Sequence, residues 1–452
     1  MKNSHSIDMT MGALIPKILL FSLPLMLSGV LQLLFNAADV IVVGRFAGSQ
    51  SLAAVGSTSV VINLLVNLFV GLSVGGNVAV ARHIGAGNEK AASDTVHTSI
   101  FISITGGLIL VLVGLFFSKP ILVLMSSPPD VINLATLYLR IYFLSMPALM
   151  VYNFGSALLR AQGDTRRPLI YLSIAGVINV IINLISVIVF KMGVAGVAMA
   201  TCISQYVSAF LVFKCLMRED GVLHLDVRKI KINKRALKEV LRVGLPAGLQ
   251  GIVFSLSNMV IQSTINSFGS TVMAGSAAAA NIEGFVYVSM NAFHQAAVTF
   301  CSQNYGANKL DRVDKSLAYS EFLVVLVGVL LGGVAFLFGR SLLSIYSTDA
   351  AVIDAGMRRM SCVCLAYALC GMMDVFVGGL RGIGYSVMPM IVSLLGACGL
   401  RLLWIGTVFL LNPTDTMLYL SYPVSWAITA LVHFICYMVV RKKVRKRMGA
   451  YN

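Results

Sequence analysis

Long apolar runs alternate with short polar segments from Leu14 nearly to the C-terminal tail, and many are long enough to cross a bilayer as a single helix. The pattern predicts spans at about 15–43, 55–81, 95–118, 131–159, 168–190 and 193–217. Six more follow at about 237–267, 272–303, 316–338, 351–380, 386–411 and 416–440. Barrel strands would be short and would alternate polar with apolar residues, which excludes a transmembrane β-barrel. The predicted class is an all-α polytopic membrane protein with twelve transmembrane helices. Composition agrees: of 452 residues, 58% are hydrophobic and 12% charged, whereas a soluble domain carries about 25% charged residues.

A net charge of +16 would suit a nucleic-acid ligand if it formed one patch. Here Lys and Arg sit in short segments between the apolar runs, so the bilayer is the expected partner and nucleic acid is not. An even number of spans puts both termini on one side. Most of the 34 basic residues fall on that side, among them Lys2, Lys17, Arg160, Arg166, Arg167, the segment 218–234 and the tail 441–447. Only Arg45, Lys119, Lys191, Arg340, Arg358 and Arg359 fall on the other, while Arg140 and Arg401 lie within spans. The positive-inside rule then places both termini in the cytoplasm. The eight cysteines lie mostly in or at the ends of apolar runs and show neither a zinc motif nor a disulfide framework. The N-terminal stretch lacks a cleavable signal pattern.

The chain repeats itself. LRAQGDTRRP at 159–168 returns as LRGIGYSVMP at 380–389, a separation of 221 residues, and the same separation pairs Gly85-Ala86 with Gly306-Ala307. With one residue of slippage, Leu23-Pro24 pairs with Leu245-Pro246 and Asn36 with Asn258. Six spans per period mean that equivalent spans cross in the same direction. The expected organisation is an N-terminal six-helix lobe (1–217), a basic cytoplasmic linker (218–234) and a C-terminal six-helix lobe (235–452) with a basic tail. Two bundles related by such a parallel repeat create a cleft suited to transport. Gly163 and Gly384 suit tight turns, and Pro24, Pro147 and Pro246 are candidate kinks.

Against this apolar background carboxylates stand out, since each costs at least about 2.5–3.5 kcal/mol at a helix centre on insertion scales. The candidates are Asp39 in span 1, Glu283 in span 8 and Asp374 in span 10, with Glu321 nearer an interface in span 9. Asn179 and Asn183, four apart in span 5, share a helix face. Counting from the span ends, Asp39, Asn183 and Thr201 lie roughly 8–12 Å below the outer surface. One carboxylate, two amides and a hydroxyl at common depth suit Na⁺, or a carboxylate that carries a proton instead. A hydrogen-bonded cluster joining helices is the structural alternative. Asp374 and Glu283 are acidic candidates for a substrate role in the C-terminal lobe, with Met290 and Phe293 as candidate pocket lining and His294 as a packed histidine. For the two acids, the structural alternative is an ion pair with Arg401 or Arg140.

The segments FNAADVIVVGRFAGSQSLAAVG, IGAGN, LRAQGDTRRP and GVAGVAMATCISQ resemble the multidrug and toxic compound extrusion (MATE) family of secondary transporters over nearly the whole chain. The resemblance implies export of organic, often cationic, compounds in exchange for Na⁺ or H⁺, with no enzymatic activity. It also implies a cation site at Asp39, Asn179, Asn183 and Thr201. Some relatives carry an aspartate at the position of Asn183, and one branch a glutamate on span 7 where this chain has Phe254. The sequence thus predicts a monomeric, multi-pass antiporter of small organic substrates in the bacterial inner membrane, working by alternating access without a cofactor. No phosphate-binding loop of nucleotide-driven pumps is seen. The rivals are a flippase for lipid-linked precursors, which would favour a strongly basic cavity, a dedicated metabolite exporter of the same fold, and a non-transporting scaffold.

Overall fold

The computed structural model describes residues 6–125 and 128–449; Lys2 of the charge count lies outside the described residues. Helices account for every regular element among them. In the first half these are α1 (Leu14–Val42), α2 (Ser49–Gly85), α3 (Glu89–Leu124), α4 (Ile132–Leu144), α5 (Met146–Ala161), α6 (Arg166–Leu184) and α7 (Gly193–Arg218). The second half has α8 (Lys234–Asn266), α9 (Ser270–Gly306), α10 (Leu310–Leu337), α11 (Gly339–Ser344), α12 (Ala350–Val363) and α13 (Tyr367–Gly382). It ends with α14 (Val387–Ser393), α15 (Leu400–Gly406), α16 (Val408–Leu411) and α17 (Asp415–Gly449). Wide-turned π segments extend α1 (Val43–Ala47) and α6 (Ile185–Val189) and join α14 to α15 (Leu394–Gly399).

Among the described residues, nine helical stretches are long and apolar enough to span a membrane. Two more passes are bent pairs, α4 with α5 at 45° and α12 with α13 at 46°. The twelfth is α9, whose 37 residues give about 55 Å of helix. It falls short in apolarity rather than length, because Ser276, Glu283, Ser289, His294, Thr299 and Asn304 are buried along it. Its polar groups turn inward, so the chain is a twelve-pass all-α membrane protein.

The helices form two compact units, one holding Val30–Gly248 with Ile7, the other Asp8–Gly29 with Leu249–Asn452. The long helices α1 and α8 are each divided between them. Within the first unit α2 packs on α3 and α5, α3 on α5, and α7 on α4 and α5. In the second, α9 packs on α10 and α13, α10 on α13, and α17 on α12 and α13. These are the same contacts 221 residues apart, so the sequence repeat is a structural one. Its turns repeat as well. Positive φ occurs at Gly48 and Gly269, Gly87 and Asn308, and Gly163 and Gly384.

Pro147 stands just past the first bend, where a Cβ on Gly107 would come within 2.3 Å of its Cα. The second bend has no proline. Ala368 takes that position, and a Cβ on Gly328 would approach its Cα to 2.9 Å. Close helix approach across a glycine, rather than proline alone, accompanies the bend in both units.

The segment 218–234 is docked on α3. Leu223 and Leu225 are buried beside Val96, Ile100 and Leu216. The backbone N–H of Asp226 donates to His97 Nε2 (3.1 Å) and that of Asn233 to Thr98 Oγ1 (3.1 Å). The Asn233 amide donates to Asp94 Oδ2 (3.0 Å), and Arg167 joins Asp164 to Glu219 by ion pairs.

Candidate functional site

Three elements of the first unit bring the span 1 and span 5 polar residues together. A Cβ on Gly176 would overlap the Phe35 ring, at 1.9 Å from Cε2, so only glycine lets α1 and α6 approach there. From that contact Asp39 follows Phe35 by four residues on α1. Asn179 and Asn183 follow Gly176 by three and seven on α6. These spacings keep each set on one face, and the two helices run in the same direction. The expected juxtaposition follows: Asn183 Nδ2 donates to Asp39 Oδ1 at 2.6 Å.

The wide turns sit beside this contact. The π segment after α1 touches the one after α6, and both touch α7. Such bulges displace side chains from regular register and recur at functional positions. A Cβ on Gly196 of α7 would meet Ser186 Cβ at 2.9 Å, which holds the α6–α7 hairpin tight.

Asn179 and Asn183 are both buried. Asn179 Nδ2 reaches Ser204 Oγ at 3.5 Å, the long limit of a hydrogen bond, while Ser204 donates to the carbonyl of Thr201 (2.9 Å). The amide oxygens Asn179 Oδ1 and Asn183 Oδ1 are buried and meet no hydrogen-bond donor. A buried acceptor without a donor normally costs about 1–3 kcal/mol. Together with the half-buried Asp39 carboxylate they form an oxygen-rich set of one charge.

Thr201 stands differently. Its hydroxyl donates to the carbonyl of Val197 in its own helix (3.1 Å), and it is Ser204 of α7 that reaches Asn179. Ser204 follows Thr201 by three residues, so helical spacing alone could have nominated it. Tyr138 and Tyr142 on α4 were also missed. They stack with ring centroids 6.2 Å apart and lie within electrostatic reach of Asp39. Their signal was the four-residue spacing in an apolar run, which reads equally as packing.

In the second unit the acidic candidates part company. Glu283 is fully buried and bidentate with Arg359, at 3.0 Å from Nε to Oε1 and 2.8 Å from Nη2 to Oε2. Arg359 Nη1 also donates to Ser276 Oγ (2.9 Å). The charge count that set Arg359 on an outer polar segment is corrected here, because this arginine is a buried residue of α12. The sign of a charge tells side, whereas a matched carboxylate four helix turns into α9 permits burial. Arg381 is also buried and donates to Gln250 Oε1 (2.9 Å), so buried arginine in the spans is not confined to Arg401. Arg401 itself donates to Ser425 Oγ (2.9 Å) and lies 4.2 Å from the centroid of the Tyr422 ring.

Asp374 on α13 lies within electrostatic reach of Tyr287 and Arg381. Met290 and Phe293, candidates for pocket lining, are packed inside this unit. Met290 Sδ fills the space at Gly328 and Gly371, and Phe293 has no exposed surface. His294 is packed too, its Nδ1–H donating to the backbone carbonyl of Asp374 at 2.6 Å.

The two-unit chain has known relatives. The sequence profile of the MatE family matches it twice, over residues 24–185 and 246–404, one match per repeat. The probable multidrug resistance protein YoeA of Bacillus subtilis is 28% identical over 437 residues, covering 94% of this chain and 93% of that protein. The multidrug export protein MepA of Staphylococcus aureus is 24% identical, covering 80% of each. Among solved structures, a MOP-superfamily transporter from Pyrococcus furiosus superposes with a TM-score of 0.92 at 21% identity, over 98% of this chain and 100% of that one. A MATE crystal structure in complex with MaL6 does the same, with a TM-score of 0.92, 21% identity and the same coverage. At such identity these structures speak for the fold alone, while the doubled profile match covers most of both repeats: the chain belongs to the MATE family, and is a membrane transporter rather than an enzyme.

Proposed function

We propose that this transporter exports small organic compounds, cationic drugs among them, in exchange for Na⁺ or H⁺ bound at Asp39. The observation that carries the reading is the Asn183–Asp39 hydrogen bond together with the two buried amide oxygens, of Asn179 and Asn183, that meet no donor. A cation would bring such oxygens the partner they lack. Asn183 holds the carboxylate in place, and Asn179 supplies a second oxygen one turn away. Tyr138 and Tyr142 wall the site on α4. Thr201 serves with its hydroxyl oxygen, whose proton is already committed to Val197.

Exchange requires that the cation and the exported compound favour different states of the protein, since a ligand with equal affinity for both shifts nothing. Drug export is supported by the names of the Bacillus and Staphylococcus relatives. The distribution of Lys and Arg supports both termini in the cytoplasm of a bacterial inner membrane.

The test is efflux of a cationic dye from cells lacking their own exporters, comparing wild type with Asp39→Asn at equal membrane abundance. Wild type should expel the dye and the variant should not. Imposed Na⁺ or H⁺ gradients in vesicles then name the ion. Equal efflux by both proteins would remove Asp39 from coupling.

A further inference from the structure

Helices α10 and α13 lie against each other along a stripe of close contacts. A Cβ on Gly379 would come 2.8 Å from Leu317 Cδ1, one on Gly371 2.6 Å from Val324 Cγ2, and one on Gly328 2.9 Å from Ala368 Cα. One on Gly332 would come 2.5 Å from the Cys364 carbonyl oxygen. As the numbers rise on α10 they fall on α13, so the helices are antiparallel. On α10 the contacts fall at 317, 324, 328 and 332, and position 321 completes the same helical stripe. The register sets 321 beside 375, so Glu321 faces α13 one residue along the chain from Asp374.

Both carboxyl oxygens of Glu321 are buried, and neither meets a hydrogen-bond donor. Asp374 lies within its electrostatic reach. The other titratable groups around the pair are few. From α9 come Tyr287, within electrostatic reach of Asp374, and His294, whose Nδ1–H is taken by the Asp374 carbonyl. From α13 come Cys370 and Arg381, and α17 places His433 near Arg381. Among the described residues Arg381 is the cation beside Asp374, and it also donates to Gln250. Two carboxylates and one guanidinium leave an unmatched negative charge inside the bundle, and one proton on the pair removes it.

We infer that Glu321 is a proton carrier, holding with Asp374 a single exchangeable proton at the α10–α13 contact of the second unit. As an acid Glu321 gains an O–H, and its buried oxygens cease to be a charge. On deprotonation the proton passes to water and the pair carries two charges against Arg381. The site is distinct from Asp39 and stands whether or not Asp39 couples transport.

The experiment is infrared difference spectroscopy of the purified full-length protein between acid and alkaline pH, in H₂O and D₂O. It follows the carbonyl stretch of protonated carboxyl groups. Wild type should show an acid band that is lost in Glu321→Gln and kept in Asp39→Asn. In Asp374→Asn the midpoint of that band should move by about one pH unit or more, the scale on which a neighbouring charge acts. A Glu321→Gln spectrum that superimposes on wild type, or an unmoved midpoint in Asp374→Asn, overturns the assignment. Loss of dye export in Asp39→Asn with the Glu321 band intact separates the two sites. Asp374→Asn also serves as the test if Glu321→Gln does not fold.

Discussion

The Glu283–Arg359 pair offers a sharp test of whether a buried carboxylate in this protein is structural. Glu283→Met removes the carboxylate and leaves the Arg359 guanidinium with Ser276 as its hydrogen-bond partner and the Tyr419 and Tyr422 rings at 5.7 Å. The arginine side chain is only 9% exposed, so water cannot replace what is lost. Breaking such a pair from one side costs about 3–5 kcal/mol. The ring faces return about 0.5–2 kcal/mol of it. A net loss of about 1–4.5 kcal/mol, at about 2–4 °C per kcal/mol for a unit of this size, lowers the melting temperature by on the order of 10 °C. Arg359→Met should do the same by stranding Glu283. The double variant Glu283→Met/Arg359→Met removes both desolvation penalties and should melt near wild type, because well-packed apolar replacements of buried pairs are often neutral. Thermal melting of the four proteins in one detergent closes the cycle. If the single variants melt like wild type but bind a cationic dye less well, Glu283 faces substrate and the structural reading is wrong.

Other expectations follow from individual contacts. Gly48→Ala and Gly163→Ala both put a side chain at positive φ, but a Cβ at Gly48 meets nothing within 4 Å while one at Gly163 comes 2.6 Å from the Ile7 carbonyl oxygen. Gly163→Ala should therefore lower the melting temperature clearly more than Gly48→Ala, whose cost is the backbone strain of about 1 kcal/mol; equal losses would refute the contact. Gly176→Ala must push the Phe35 ring aside and with it the Asp39 turn of α1; ion-gradient-driven dye export should fall at least tenfold at equal abundance, and unchanged export would show that the α1–α6 approach does not position the site. Leu225→Ala empties a fully buried position in the docked linker, at a cost of about 2–5 kcal/mol, and should expose the Arg and Lys residues of 218–234 to trypsin faster than in wild type. A cleavage rate equal to wild type would mean that the segment is held by its hydrogen bonds to α3 alone.

Much of this was legible because the fold is written as period and the sites as departures from it. Apolar runs set eleven passes directly. The twelfth, α9, was legible despite its polar face because small residues such as those in SAAAA still make a continuous run. The paired bends were half legible: Pro147 announces the first, but Ala368 gives no sign of the second, which depends on how closely Gly328 approaches it. The docking of 218–234 was hidden because its charges dominate the composition, while Leu223 and Leu225 do the anchoring. Arg359 was misplaced because its partner lies 76 residues away, beyond any local pattern.

The same comparison separates what the two repeats share from what each has alone. The turns at 48 and 269, 87 and 308, and 163 and 384 keep positive φ even where glycine gives way to Asn308, because a hairpin between adjacent passes needs that backbone wherever it occurs. The carboxylates and the span 5 amides of the candidate sites do not repeat. By the Asn36–Asn258 pairing Asp39 falls on Ile261; at the 221-residue offset Asn179 falls on Leu400 and Asn183 on Trp404, while Glu321 falls on Ile100 and Asp374 on Asn153. Arg359 falls on Tyr138, one of the tyrosines beside Asp39. Burying such a group costs free energy in either unit, so packing offers no reason to place it in one copy and an apolar residue in the other. A role that each half performs alone does, and it makes the positions where the two repeats disagree in charge the ones to mutate.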